Sequence, residues 1–223
     1  MMITDLGTIT AIEPQVRRKS RLNVFIAGEY AFSLSKVVAV DAGIRTGLSL
    51  SSEDIQRIQD AELLHRAKET AYRFLGYRPR STAEVTTRLN RGGFSDTLIE
   101  QVVADLTSRG FLDDSAFASY WVERRTAHNP KGSRLISAEL KRKGVRQESI
   151  EEATRDTDDL DSAYRAGKKK ALSLGQDEYQ QFRQRLWGYL VARGFSFDVV
   201  RSTIARLWQE GHGSDDDLNG EPL

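Results

Sequence analysis

The sequence of 223 residues has no cysteine, only four prolines and three histidines, and no apolar run that approaches the ~20 residues of a membrane-spanning helix. Without cysteine, the chain forms no disulfide, no thiolate metal site and no cysteine nucleophile. The first residues show no basic flank followed by an apolar stretch, so no secretory signal is predicted and we expect a cytoplasmic protein. Because proline interrupts helices, its scarcity favours a helical fold.

A large excess of charge of one sign is also lacking. Lys and Arg number 33 and Asp and Glu number 32, which gives a formal charge of +1. This balance excludes a protein that coats nucleic acid with its whole surface, because such binding needs a large positive excess. The small sum conceals opposed blocks: residues 124–146 are strongly basic and residues 147–161 strongly acidic. Residues 211–223 carry four acidic side chains and no Lys or Arg, which predicts a disordered acidic tail.

Alternating apolar residues predict a small β-rich segment at the start of the chain. Residues 22–26 alternate with a period of two, and the Ala-Gly-Glu sequence at 27–29 is typical of a tight hairpin turn. We expect three strands and a short helix over 35–42 that ends at Gly43. The basic turn at 17–21 is either a solvated hairpin tip or a contact with nucleic acid.

The rest of the chain contains an internal repeat, because the segments 87–106, 138–157 and 188–207 align without gaps. Each copy is typical of a helix that ends at a glycine, followed by a helix with an apolar stripe. Ahead of the first copy, Ser81 and Glu84 form the pattern of a capping box. The coinciding positions are Leu89, Leu140 and Leu190, then Gly93, Gly144 and Gly194, and then Ile99, Ile150 and Val200.

A further amphipathic helix precedes each of these pairs, so the sequence predicts a mainly α protein with three tandem three-helix repeats behind a small N-terminal β-hairpin or sheet. One repeat alone is too small to bury a stable core, and we therefore expect the repeats to stack into an elongated, curved array. The predicted limits are 1–50 for the β segment, 51–111, 112–157 and 158–210 for the repeats, and 211–223 for the tail.

Residue types that carry catalysis or bind cofactors form no recognisable motif. The histidines at 65, 128 and 212 are scattered, and neither a phosphate-binding glycine loop nor a calcium loop fits the sequence. The pair Asp113-Asp114 is either a carboxylate pair for chemistry or the N-terminal charge of a helix. We therefore expect a protein that is not an enzyme and has no metal and no cofactor.

The basic segment 124–146 is the candidate binding surface. It spans the end of one helix, a loop around Pro130 and a second helix, in which Ile136 and Leu140 are predicted to face inward. Its charge either binds phosphates or an acidic protein surface, or is neutralised by the acidic helix that follows it. The candidate contacts are Arg124, Arg125, Lys131, Arg134, Lys141 and Lys143, with Lys168, Lys169 and Lys170 as a secondary group.

Two groups of motifs follow one another in the repeats. The first group is Arg80-Ser81-x-x-Glu84-Val85, then Leu89 with Gly93-Phe94, then Gly110-Phe111-Leu112-Asp113-Asp114-x-x-Phe117-Ala118. The second group is Pro130-x-Gly132-x-Arg134, then Glu139-Leu140 with Lys143-Gly144-Val145. In order and spacing these motifs resemble the RecX family of bacterial recombination regulators over about residues 60–210, and the β segment is similar to an extension found in some members. Asp113 stands where the family usually has Asn, and Val85 where it usually has Leu.

The resemblance implies a regulatory protein that binds the RecA recombinase in the groove of its filament on single-stranded DNA. Members of the family restrain the ATPase, strand-exchange and co-protease activities of RecA, in recombination, DNA repair and the SOS response. The candidate basic residues would contact acidic RecA surface, DNA phosphate or both. Single-stranded DNA would be met through the filament or weakly by the chain itself. We expect a monomer without membrane contact.

Two other classes of protein stay open. The short glycine turn between the last two helices of each repeat is similar to helix-turn-helix spacing, which favours a DNA-binding protein that acts without RecA. Against that interpretation, Glu148, Glu151 and Glu152 on one of the third helices would repel phosphate. A scaffold for other proteins would depend on neither DNA nor RecA.

Overall fold

The computed structural model describes residues 5–175 and 177–212, and this part of the chain forms four strands and ten helices. The strands are β1 (Asp5–Pro14), β2 (Arg21–Ile26), β3 (Glu29–Ser35) and β4 (Ser49–Ser51). The helices are α1 (Lys36–Asp41), α2 (Ser52–Leu75), α3 (Thr82–Asn90), α4 (Asp96–Ser108), α5 (Asp114–Ala127), α6 (Ser133–Arg142), α7 (Gln147–Thr154), α8 (Asp159–Leu172), α9 (Tyr179–Val191) and α10 (Phe197–His212). The predicted class is confirmed: a small sheet precedes three three-helix repeats, α2–α4, α5–α7 and α8–α10. The exact repeat limits stay a prediction, and residues 213–223 of the predicted tail lie outside the described residues.

The N-terminal sheet is antiparallel, with the strand order β3-β2-β1-β4. Ala27 and Gly28 have φ angles of 50° and 85°, the left-handed pair that suits a two-residue hairpin, so the predicted turn is confirmed. The expectation of three strands was wrong, because β4 is too short to show an alternating pattern, although its Leu50 is buried. The predicted helix is α1, which Ser35 caps and which Gly43 follows with a φ of 63°.

The sheet packs on α1 and on the beginning of α2, whose Ile58 belongs to the same core. One turn further along α2, the Glu62 side chain is only 8% exposed, and its carboxylate accepts hydrogen bonds from Arg21 Nη1 at 2.5 Å and from the Ser35 amide at 2.7 Å. A buried charge is costly unless it is paired, and these two donors provide the pairing. Arg21 of the basic turn therefore forms an internal ion pair with Glu62, whereas residues 17–19 are exposed.

The three repeats share one internal plan. The second helix of each ends at a left-handed glycine, and the third helix begins three residues later. Gly93, Gly144 and Gly194 have φ angles of 78°, 77° and 86°, as predicted, and the aligned leucines Leu89, Leu140 and Leu190 are fully buried. The capping box is also confirmed: Ser81 Oγ accepts from the Glu84 amide at 3.2 Å, and the Glu84 carboxylate accepts from the Ser81 amide at 3.3 Å.

The chain divides into two compact units, Met1–Arg78 with Thr86–Ser108, and Pro79–Val85 with Arg109–Leu223. The second unit has one apolar core within α5–α7 and another within α8–α10. The first of these cores centres on Phe117, Ile136, Leu140 and Ile150, and the second on Phe182, Leu186, Leu190, Phe195 and Ile204. Within residues 5–175 and 177–212, none of the helices combines the length and apolarity needed to cross a membrane.

Candidate interaction surface

The candidate basic segment lies on the C-terminal half of α5, the loop that follows it and α6. Ile136 and Leu140 are fully buried, which confirms the predicted inward face of α6. Arg134 and Lys141 are exposed, and because they lie about two turns apart, the helical period puts them on one side of α6. Arg124, near the end of α5, is exposed as well.

Glu139 lies at the centre of a network of donors. Its carboxylate accepts hydrogen bonds from Trp121 Nε1 at 2.8 Å, Arg125 Nε at 2.7 Å and Lys131 Nζ at 2.5 Å. Burial acts to raise the pKa of Glu139, but the hydrogen bonds from Lys131, Arg125 and Trp121 outweigh it and hold the pKa below the usual range of a glutamate. The charges of Arg125 and Lys131 are thus largely compensated inside the second repeat.

Lys143 has a second carboxylate partner in this region. Its Nζ lies 2.9 Å from Glu84 Oε1 and 4.2 Å from the centre of the Trp121 ring, while the guanidinium carbon of Arg125 lies 4.5 Å from the same ring. Cations over an indole face are attracted by its negative quadrupole. Trp121 therefore joins the Glu139 and Glu84 ion pairs into one network.

The structure separates the six primary candidates into two groups of three. Arg125, Lys131 and Lys143 belong to the network, and their side chains are 30%, 17% and 20% exposed. Arg124, Arg134 and Lys141 are exposed and make no ion pair with any residue in the described part of the chain. We call these three residues the free basic group.

In the described residues the acidic helix α7 forms no ion pair with the free basic group, so the geometry does not support the interpretation in which α7 neutralises this charge. Glu151 accepts a hydrogen bond from Gln147 at 2.7 Å, and Glu152 pairs with Arg155 at 2.5 Å, so both carboxylates are engaged by residues of the same segment. Within the described residues, no ion pair joins the basic segment 124–146 to the acidic segment 147–161.

The secondary candidates Lys168, Lys169 and Lys170 follow one another on α8 and face different surroundings. Lys168 Nζ lies 5.4 Å from the centre of the Tyr164 ring. Lys169 and Lys170 line an open cavity of about 600 Å³, to which Arg193 also contributes. The sequence reasoning missed Arg193, although its place directly before Gly194, like that of Lys143 before Gly144, was a signal that the repeat alignment contained.

The Asp113-Asp114 pair serves helix N-termini. Asp113 Oδ1 accepts from the amides of Ser115 and Ala116, at 2.8 and 3.0 Å, which is the N-cap of α5 and a role that Asn could fill equally. Asp114 Oδ1 accepts from the Thr82 amide at 2.8 Å. The helix-terminus interpretation is therefore the one that the geometry supports. No group of three or more His, Asp or Glu residues with metal-site geometry occurs in residues 5–175 and 177–212.

The contact of Asp114 with the start of α3 is part of a joint between repeats. Besides that bond, Ser81 Oγ donates to the Lys143 carbonyl at 2.6 Å, so the N-terminal turn of α3 lies on the C-terminal turn of α6. Gly144 is tightly packed there, because a Cβ at this position would overlap the Cβ of Ala83. We call this the first joint.

A second joint repeats the same geometry one repeat later. The Gly132 amide donates to the Arg193 carbonyl at 2.9 Å, and the Ser133 amide donates to Asp159 Oδ1 at 2.9 Å. A Cβ on Gly194 would overlap Leu135, as one on Gly144 would overlap Ala83. In both joints the N-terminus of a repeat's second helix contacts the repeat that follows. There it meets an aspartate at the start of that repeat's first helix and the turn at the end of its second helix. Within the second unit, the same kind of contact therefore joins the start of α3 to the second repeat and the start of α6 to the third repeat.

A small antiparallel sheet followed by three three-helix repeats defines a helical-repeat protein with a basic surface. Family models match almost all of this architecture. They are described as the Regulatory protein RecX N-terminal domain, over residues 7–51, and the first, second and third RecX three-helix domains, over residues 67–106, 113–153 and 156–204. The chain belongs to the RecX family, which confirms the resemblance found in the motifs.

Individual relatives agree with the family models. The chain is 33% identical to the regulatory protein RecX of Lactobacillus johnsonii over 202 residues, which cover 89% of the chain and 74% of the relative. It is 31% identical to that of Bacillus subtilis over 218 residues, with 96% and 81% covered. Among solved structures, a crystal structure of regulatory protein RecX has a TM-score of 0.65 at 26% identity and covers 89% of this chain and 98% of its own. The RecX structure from Lactobacillus salivarius has a TM-score of 0.60 at 21% identity, with 66% of this chain and 97% of its own covered, and agrees in fold.

Proposed function

We propose that this chain binds the RecA filament on single-stranded DNA and restrains its ATPase, strand-exchange and co-protease activities. It acts in the cytoplasm as a monomer, by binding and without catalysis of its own, and meets DNA through the filament or weakly by itself. Membership of a family of regulatory proteins supports a regulatory role, and the surface of the second repeat supports the mode of binding.

The observation that carries the proposal is the contrast between the free basic group and its neighbours. Arg125, Lys131 and Lys143 have carboxylate partners within the chain, whereas Arg124, Arg134 and Lys141 have none among the described residues. A free cation gives up no internal ion pair when it meets a phosphate or an acidic protein surface, so its full attraction is available for binding.

The rate of ATP hydrolysis by RecA on single-stranded DNA tests the proposal directly. The chain is titrated into preformed filaments, and we expect the rate to fall as the chain approaches a stoichiometric ratio to RecA. Protein that has been heat-unfolded before addition serves as the control. An unchanged ATPase rate at equimolar concentration would contradict the proposed function.

The double variant Arg134→Glu/Lys141→Glu tests the surface. Like charges placed opposite one another in an interface cost several kcal/mol, so we expect the concentration for half-maximal inhibition to rise at least about tenfold. The matched control is Lys36→Glu/Arg45→Glu, which changes the net charge equally at exposed positions elsewhere in the chain. Far-UV circular dichroism should be unchanged in both variants. Inhibition at full strength by the first variant would refute the role of the free basic group.

The alternative of a helix-turn-helix-like DNA-binding protein receives no support from the third helix of the second repeat. Glu148, Glu151 and Glu152 are all exposed on α7, and a helix that presents three carboxylates is repelled by the DNA backbone. Binding to duplex DNA without RecA, with preference for one sequence, would instead favour this alternative. A gel-shift experiment on random and defined duplexes makes the distinction.

A further inference from the structure

The third repeat contains an open cavity whose charged lining is basic. The cavity has a volume of about 600 Å³ and lies between α8, the end of α9 and the loop at residues 128–130. Lys169, Lys170 and Arg193 line it and form no ion pair with a described residue, and Arg165, which pairs with Asp161 at 2.7 Å, lines it as well. The described lining includes no carboxylate. The cavity therefore concentrates positive charge without an internal anion.

The Arg193 side chain at this cavity has a nitrogen without a hydrogen-bond partner among the described residues. Its guanidinium carbon lies 4.2 Å from the centre of the Tyr189 ring, and its Nη2 reaches Asn129 Oδ1 only at a long 3.5 Å. Its Nε is buried and has no hydrogen-bond partner. Most buried polar groups in proteins are satisfied, so an orphaned donor beside a cavity indicates a missing acceptor.

The first joint shows what occupies the corresponding place one repeat earlier. There the cation before the glycine is Lys143, whose Nζ lies 4.2 Å from the centre of the Trp121 ring and 2.9 Å from Glu84 Oε1, while the Trp121 indole donates to Glu139. That region thus contains an aromatic ring and two carboxylates of the chain.

The second joint has a cation, Arg193, in place of Lys143. The Trp121 ring and the two carboxylates of the first joint have no counterparts at the equivalent positions. Equivalent positions are counted from three pairs of reference residues. These are Asp114 and Asp159, then the N-cap residues Ser81 and Gly132, and then Lys143 and Arg193, which precede Gly144 and Gly194. An alanine in place of the tryptophan leaves space, and neither replacement for the two glutamates carries charge. The replacements are Ala166 for Trp121, Tyr189 for Glu139, Leu135 for Glu84 and Arg193 for Lys143.

We propose that the cavity at the second joint binds a phosphoryl group, which supplies the anion that Glu139 and Glu84 supply at the first joint. The Arg193 guanidinium donates to the phosphoryl oxygens, and the ammonium groups of Lys169 and Lys170 compensate the remaining charge. The site goes beyond the proposed regulation of RecA and does not depend on it, because the phosphoryl group is bound by the chain alone.

Calorimetric titration of the full chain with sodium pyrophosphate, at constant ionic strength, tests the site. We expect saturable binding of one pyrophosphate per chain. In Arg193→Met the dissociation constant should rise at least about tenfold, the usual weight of a hydrogen bond to a charged group. Arg183→Met on α9 removes the same charge at an exposed position outside the cavity and should bind like the wild type. No saturable binding, or an equal effect of both variants, would overturn the proposal.

A second variant tests the space rather than the charge. Ala166→Trp places in α8 the residue that Trp121 provides in α5, and should abolish pyrophosphate binding while the thermal unfolding midpoint stays at or above that of the wild type. Unchanged binding by this folded variant would exclude the cavity as the site. Competition with a thymidine oligonucleotide identifies the source of the phosphoryl group. Displacement of pyrophosphate supports a phosphodiester of single-stranded DNA, and failure to displace it supports a small phosphate ligand.

Discussion

Replacement of Glu139 by glutamine should destabilise the second repeat, because a single carboxylate compensates two cations there. The carboxylate accepts from Trp121, Arg125 and Lys131, and its side chain is 11% exposed. Glutamine keeps the shape and one acceptor oxygen, so the change removes the charge with little loss of packing. The two cations then remain in a partly buried place without their counter-ion.

The expected loss is about 2 kcal/mol of unfolding free energy. Removal of one partner from a fully buried ion pair costs about 3–5 kcal/mol. Arg125 and Lys131 keep 30% and 17% of their side-chain exposure, so solvent screens part of the penalty. For a chain of this size, about 2 kcal/mol corresponds to a fall of roughly 4–8 °C in Tm.

Urea unfolding followed by circular dichroism measures this loss, with Glu123→Gln as the control. Glu123 is exposed on α5 and its side chain has no described partner, so its replacement should change stability by less than about 0.5 kcal/mol. If Glu139→Gln is as stable as Glu123→Gln, the network does not stabilise the repeat and the reasoning is refuted.

The pH dependence of stability gives a second measure of the same network. The pKa of Glu139 is lower in the folded chain than in the unfolded chain, where a glutamate titrates near about 4.3. Stability from this group is therefore complete above the unfolded-state pKa and is lost as the pH falls through the folded-state pKa. The difference between wild type and Glu139→Gln should accordingly shrink below about pH 4. A difference that stays constant down to pH 3 would contradict this origin.

Two further predictions concern tight packing and a buried charge in other parts of the chain. Gly194→Ala should be more destabilising than Gly93→Ala in urea unfolding. Both variants place alanine in left-handed backbone, which costs about 1–2 kcal/mol. Only at Gly194 would the Cβ overlap a neighbouring residue, which adds about 1–3 kcal/mol. Equal losses would contradict the close approach of the second joint. Glu62→Gln should lower the stability of the N-terminal unit by about 3 kcal/mol, since it leaves Arg21 without its buried partner. The exposed Glu69→Gln is its control, and indistinguishable melting curves for the two would refute a stabilising ion pair.

Features set by neighbouring residues could be predicted from the sequence, and features set by distant ones could not. The capping box of Ser81 and the glycine that ends each second helix depend on a few consecutive residues, and their predictions are confirmed. Leu140 could be assigned to the core because the helical period reports its face. The short strand β4 was missed because its three residues carry no period, and only the pairing with β1 makes it a strand.

The candidate surface shows the same limit more sharply. The excess of basic residues in 124–146 is visible in the sequence, but which cations have partners is a tertiary property. Lys143 pairs with Glu84, 59 residues away, and no local pattern reports that distance. Arg125 and Lys131 converge on Glu139 only because α5, the loop and α6 fold together. The sequence therefore located the charged segment, and the fold decided which of its side chains are free.

The backbone amide donors at the two joints all bond to acceptors later in the chain. The first amides of a helix have no acceptor within that helix, and those of Thr82, Gly132 and Ser133 find their acceptors in the repeat that follows. Each repeat thus completes the helix ends of its predecessor, while these bonds take nothing from it in return. Loss of the third repeat would leave the Gly132 and Ser133 amides without their acceptors. Loss of the start of α3 would leave the Asp114 carboxylate and the Lys143 carbonyl as acceptors that water can satisfy, and would remove the Glu84 partner of Lys143. Fraying of the second unit should therefore spread from its C-terminal repeat towards its N-terminal end, against the order in which the chain is synthesised.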